Sequence, residues 1–151
     1  MKAVLQRVTH AQVVVEVELI SKIDNGFLVL LGVESGDTKE EADVLSKKIV
    51  NLRVFEDENG KMNLSLLDTN GSMLVISQFT LLADCRKGRR PSFINAGAPD
   101  KANELYEYFC ERIKTDGVED VKKGVFGADM KVSLLNDGPV TIVLDSKELS
   151  R

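Results

Sequence analysis

A chain of 151 residues, 43% of them hydrophobic and 29% charged, fits one globular domain able to bury its own core. Its net charge of −4 argues against coating nucleic acid by bulk charge, so any RNA contact has to come from a local basic patch. The two cysteines, Cys85 and Cys110, lack CxxC spacing, which indicates neither a disulfide framework nor a zinc site and suits a reduced cytoplasmic setting.

The first residues alternate, with Val4, Gln6 and Val8 against Leu5 and Arg7, and a β-branched run follows from Val13 to Val17. This pattern predicts two strands joined near Thr9-His10-Ala11. Gln6, Arg7, Thr9, His10, Gln12, Glu16 and Glu18 interrupt the apolar stretch, so no export or membrane segment is expected. Ile20 to Ile23, the turn Asp24-Asn25-Gly26 and the run FLVLLGV predict a hairpin with a buried second strand. At Thr38 the period changes. Thr38 and Glu41 form a capping box, and Ala42, Leu45, Ile49 and Leu52 recur at helical spacing. RVFEDENGKMN predicts a short hairpin around Asn59-Gly60, and SMLVISQF a core strand entered from Asn70-Gly71. LLADCRKGRRPSFINAGAP is the longest irregular segment, of a length that compact domains reserve for function or mobility. A second helix, from about Asp100 to Thr115, places Leu105, Tyr108, Phe109, Arg112 and Ile113 on one face, with Gly117 as its stop. KKGVFG, MKVSLLN and VTIVLD return to strand. The expectation is one α+β domain, residues 1–151, with a largely antiparallel sheet and two main helices.

Chemistry-bearing residues are few. His10 is the only histidine, and a solvated turn position accounts for it better than a triad or metal site does. Asp37, Glu40 and Glu41 suit a helix start, so no metal is expected. Arg86, Arg89 and Arg90 would activate Cys85, but no partner base accompanies it; Cys110, beside Phe109, reads as a small buried apolar residue. Ser77, Gln78, Phe79 and Thr80 stand where a buried strand runs out into the long loop. They offer hydroxyls, an amide and free backbone NH groups, though such residues also serve merely to satisfy local backbone. RKGRRPSF joins Arg86, Lys87, Arg89 and Arg90 to Phe93, either as a solvated loop or as a phosphate contact with an aromatic platform. In NDGPVT, Gly138 and Pro139 interrupt strand-like sequence and mark an edge, a bend or a backbone surface that meets something.

SQFTL at 77 to 81, RRPSF at 89 to 93 and NDGPVT at 136 to 141, in this order and spacing, resemble the D-aminoacyl-tRNA deacylases. MKAVLQRVTHAQVVV, GFLVLLGVE, RVFEDENGKMN and PD-x-A-x-x-LY-x-YF at 99 to 109 extend the resemblance to essentially the whole chain. It implies a barrel-like fold and a cytoplasmic homodimer without cofactor, which hydrolyses the ester joining a D-amino acid to tRNA and also removes glycine from alanine tRNA. No membrane or DNA partner is expected. It further implies a cis Gly138-Pro139 bond that reaches across the dimer to reject L-amino acids, with Arg7 supporting it and Phe126, Gly127, Ala128 and Met130 lining the adenosine site. Arg86, Lys87, Arg89 and Arg90 are the expected tRNA contacts, in a loop unusually basic for the family. With no base near Thr80, a water nucleophile is preferred to the Thr80 hydroxyl, aided by the Phe79 and Thr80 NH groups and the ribose 2′-hydroxyl. A noncatalytic RNA-binding module and a dimeric scaffold are the rival readings.

Overall fold

The first strand departs most from the sequence expectation. In the computed structural model, which describes residues 1–149, Lys2–Val15 form one 14-residue strand, β1, instead of two strands joined near His10. Register irregularities lie on either side of Val8 where β1 pairs with the last strand. Such bulges change which residues face inward while the chain stays extended, so a break in alternation mimics a turn. His10 is exposed within β1 and is not at a hairpin end.

The reversal falls at Glu16-Val17, with Glu16 at φ +57°, and β2 (Glu18–Ile23) returns along β1. β3 (Gly26–Gly32) pairs with β1 and not with β2. The two lie in tandem along one edge of β1, β2 beside Ala11–Val15 and β3 beside Lys2–Val8. Asp24-Asn25 therefore kinks a continuous return run and does not close the expected hairpin.

α1 (Lys39–Asn51) begins at the predicted capping box, with Glu41 Oε2 accepting from Thr38 N at 2.7 Å. The expected hairpin forms from β4 (Phe55–Glu56) and β5 (Met62–Leu64). A short helix, α2 (Leu66–Thr69), was not anticipated; its signal is the Ser65-x-x-Asp68 capping box. β6 (Ser72–Ser77) is the predicted core strand, α3 spans Pro99–Thr115, β7 is Val121–Lys123, and β8 runs from Met130 to Asp145.

The sheet is mixed, which corrects the largely antiparallel expectation. β3 runs parallel to β6 and β6 parallel to β7, while β2, β3 and β8 are antiparallel to β1. Parallel neighbours need long crossovers, which the α1 and α3 segments supply. Along β2-β1-β3-β6-β7, with β8 on the far edge of β1, the sheet curls until Ser21 Oγ on β2 donates to Lys123 O on β7. The barrel is nearly closed.

One face of the sheet carries Leu5, Phe27, Val29 and Val75 against Leu45 and Ile49 of α1 and Leu105, Phe109 and Ile113 of α3. Burying each such side chain is worth about 1.5–3 kcal/mol. The other face encloses Val8, Val13, Leu28, Leu74 and Ile76 inside the curl. On α3 the buried stripe includes Tyr106 and Cys110, in place of the expected Tyr108 and Arg112. Tyr106 is accommodated because its hydroxyl donates to Val75 O at 2.7 Å, whereas Tyr108 reaches the flank and donates to Asp43 Oδ1 at 2.6 Å.

Candidate active site

At the C-terminal end of β6 the chain leaves the sheet in a 3-10 turn, Phe79–Leu82. Gln78 N still bonds Leu31 O at 2.8 Å, but among the described residues neither the Phe79 nor the Thr80 amide has an acceptor. These two donors stand beside a cleft of about 700 Å³. Ser77, Gln78 and Phe79 form one wall, Phe126, Gly127, Ala128 and Met130 another, and the start of α3 closes the end with Ala98, Pro99 and Ala102. Ile76 and Val132 also line it.

Eight of the residues singled out from the sequence, the aromatic Phe93 among them, thus meet at one site. Thr80 does not line the cleft; its hydroxyl accepts from Gln78 Nε2 at 2.6 Å. Sequence reasoning missed the turn leading into α3, Ala96 to Ala98, and with it Pro99 and Ala102 at the start of the helix; the signal was the small-residue stretch AGAP before a helix with Pro99 at its first position. It also missed Asp129, the only titratable lining residue, which is exposed and paired with Lys131 at 3.2 Å. The cleft therefore holds no histidine or buried carboxylate to serve as base, and its polar character comes from backbone and neutral side chains. No group of metal-ligating side chains occurs among the described residues. Cys110 is buried and its thiol is pushed up to about 12, while Cys85 is exposed on the loop.

NDGPVT is built as a projection from the sheet. Gln6 pairs with Thr141 and Val8 with Asn136, so Asp137, Gly138, Pro139 and Val140 together oppose the single residue Arg7. Asn136 closes the base of this bulge: its Nδ2 donates to Thr141 Oγ1 at 3.0 Å and its Oδ1 accepts from Val140 N at 3.2 Å. Arg7, only 7% exposed, donates from Nε to Asp137 O at 2.9 Å and from Nη1 to Val54 O at 2.8 Å. Gly138 takes φ +134°, where a Cβ would meet Val140 and Arg7, and the Gly138-Pro139 peptide is cis. Asp137, Gly138 and Pro139 are exposed.

The bulge and the cleft do not meet within one chain. Ser77 pairs with Leu31, and Leu31 with Ala3, four residues along β1 from Arg7. At about 3.3 Å per residue and about 4.8 Å per strand, the two features stand on the order of 20 Å apart. Neither Arg7, Gly138 nor Pro139 lines the cleft, and neither do Arg86, Lys87, Arg89 and Arg90.

A cleft without a buried charge and with uncommitted amides at its lip, together with a separate projecting Gly-Pro bulge on a nearly closed barrel, defines a small hydrolase-like α+β protein. The family model for D-Tyr-tRNA(Tyr) deacylase matches residues 4–145, and the chain belongs to that family. A D-aminoacyl-tRNA deacylase of Thermosipho africanus is 58% identical over 149 residues, 99% of each chain. A solved structure described as the c-Myc DNA unwinding element binding protein has a TM-score of 0.91 at 46% identity, over 96% of this chain and 98% of that one. Another, of a probable eukaryotic D-amino acid tRNA deacylase, has a TM-score of 0.81 at 17% identity over 95% and 97%, a likeness of fold.

Proposed function

We propose that this protein is a D-aminoacyl-tRNA deacylase that hydrolyses the ester joining a D-amino acid to the terminal adenosine of tRNA. The observation that carries the mechanism is the exposed Gly138-Pro139 bulge, held from behind by Arg7 and Asn136 and remote from its own cleft. In a homodimer the bulge of one protomer enters the cleft of its partner. Its backbone carbonyls then occupy the space beside the substrate α-carbon where an L side chain would lie. A D side chain points away, so many D-amino acids are accepted without a side-chain pocket. Glycine has nothing to collide and is hydrolysed from alanine tRNA as well.

The adenosine lies along Phe126, Gly127, Ala128 and Met130, and the scissile carbonyl faces Phe79 and Thr80. Attack by water moves an electron pair onto the carbonyl oxygen, where the Phe79 and Thr80 amides stabilise the developing charge. Loss of one such donor typically costs about 100- to 1000-fold in rate. Collapse expels the ribose 3′-oxygen, with the neighbouring 2′-hydroxyl relaying the proton, so no protein base is required. The substrate places the protein in the cytoplasm, and no described helix is long and apolar enough to cross a membrane.

Matched D-tyrosyl-tRNA and L-tyrosyl-tRNA test this, with amino-acid release followed in metal-free buffer. Release of the D form alone is expected; equal release of both, or of neither, would refute the chiral deacylase. For the dimer, an Asn136→Ala, Gly138→Val chain is mixed with a Phe79→Pro chain. Mixed dimers carrying one intact composite site should regain D-selective activity that neither variant has by itself.

A further inference from the structure

The loop between the 3-10 turn and α3 folds back on itself. Asp84 N donates to Ser92 O at 2.7 Å and Ser92 N to Asp84 O at 2.9 Å, a two-bond bridge that closes residues 85–91 into an arm. Within it the exposed Arg86 folds back along the surface onto Asp84: Nη2 and Nε meet the two oxygens of the Asp84 carboxylate at 2.7 and 2.9 Å, and Arg86 N adds a third bond at 3.1 Å. These bonds hold the Asp84 carboxyl at about 2. Directly after the bridge, Phe93 packs edge-on against Phe79 with ring centroids 5.1 Å apart, which ties the base of the arm to the lip of the cleft. Lys87, Arg89 and Arg90 are exposed and have no ion-pair partner among the described residues.

We propose, on the reading of the protein as a tRNA deacylase, that this arm is a phosphate clamp. Lys87, Arg89 and Arg90 bind the RNA backbone next to the terminal nucleotide, while Arg86 and Asp84 position the arm and touch no RNA. The division of labour follows from charge, since the Asp84 carboxylate already neutralises the Arg86 guanidinium, and the pair adds no net positive charge with which to displace counterions from a phosphate. It also reconciles a net charge of −4 with an RNA substrate, because three unpaired cations are concentrated on an arm whose base packs against the lip of the cleft. Residues 85–91 include no aromatic side chain to stack on a base. The arm thus adds affinity for any tRNA and discriminates among none.

The test compares the full-length protein with the triple variant Lys87→Ala, Arg89→Ala, Arg90→Ala, and with Arg86→Ala, on D-tyrosyl-tRNA and on the minimal ester D-tyrosyl-adenosine. Log–log dependence of kcat/KM on salt for the tRNA ester should flatten in the triple variant by about 2 to 3, at roughly 0.7–0.9 per lost phosphate contact. The advantage of the wild type over the triple variant should then shrink about 20-fold or more between 50 and 200 mM salt. The loss should sit in KM and be at least tenfold greater for the tRNA ester than for the minimal ester. Arg86→Ala should leave the salt slope close to wild type. Equal losses on the two esters, an unchanged slope in the triple variant, or Arg86→Ala matching a one-contact loss would each overturn the proposal.

Fluorescence polarisation with uncharged tRNA reads the same slopes without catalysis, so an inactive protein refutes the deacylase reading while the arm is still judged. A slope that depends on the arm with a DNA duplex but not with tRNA would assign the arm to DNA and overturn the proposal.

Discussion

Replacing Arg7 with alanine removes the strut behind the Gly-Pro bulge, and its cost can be worked from the bonds. Arg7 Nη1 to Val54 O, at 2.8 Å, joins a buried cation to the carbonyl of a residue only 8% exposed. Losing a charge-assisted bond of this kind and leaving the acceptor unmet costs about 2–3 kcal/mol. The bond from Nε to Asp137 O, at 2.9 Å, lies on the exposed side, where water replaces the donor, and contributes about 1 kcal/mol. Glu56 and Asp137 carboxylates approach at 3.9 Å but are more than half exposed, so they add little. The sum is about 3–4 kcal/mol, within the usual 5–15 kcal/mol of a domain, so the variant should still fold. Urea unfolding at matched protein concentration should shift its midpoint down by about 1.5–2 M for an m-value near 2 kcal/mol/M. Arg7→Lys, which reaches one carbonyl, should recover about half. Because the bulge loses its backing, the ratio of L- to D-tyrosyl-tRNA hydrolysis should rise in Arg7→Ala. A loss under about 1 kcal/mol together with unchanged D/L selectivity would refute both the energetic account and the positioning role.

Gly26→Ala would force a Cβ to within 1.8 Å of Ser72 O, a backbone atom of the adjoining parallel strand, so a penalty above about 4 kcal/mol and little soluble protein are expected; a melting temperature near wild type would contradict the register of β3 and β6. Thiol titration at pH 8 should find one fast group, Cys85, and one that reacts only on unfolding. Burial first, and then the Glu107 charge, raise Cys110 to about 12 and leave about one thiolate in 10,000. Two fast thiols in folded protein would disprove that burial. Thr80→Ala should keep kcat within about tenfold, since the Thr80 hydroxyl accepts from Gln78 and lies outside the cleft; near-complete loss with intact binding would instead identify it as the nucleophile.

Local chemistry was legible. The Thr38-x-x-Glu41 box marks the start of α1, and the Asn59-Gly60 turn closes β4 and β5, because each is decided by groups a few residues apart. The SQFT strand end and the long basic loop were found for the same reason, and Gly138 and Pro139 announced a departure from regular strand. Apart from α2, whose Ser65-x-x-Asp68 box is local, what failed involved partners distant in sequence. β1 reads as two strands because its bulges are set by pairing with residues more than 120 positions away, and Asp24-Asn25 reads as a hairpin because a turn motif does not say which edge the next strand will join. Tyr106 and Tyr108 look interchangeable until Val75 O offers one of them a buried partner.

By itself, then, the sequence determined most of the helix and strand segments, where the backbone is unusual and which residues carry polar groups, since those depend on local sterics and short-range hydrogen bonds. Only the tertiary structure decided that β3, β6 and β7 run parallel, that Ser77, Phe79 and Phe126 to Met130 share one cleft, and that Gly138-Pro139 projects some 20 Å from it. Those outcomes depend on register and crossover, fixed by which apolar faces bury against one another across the whole chain.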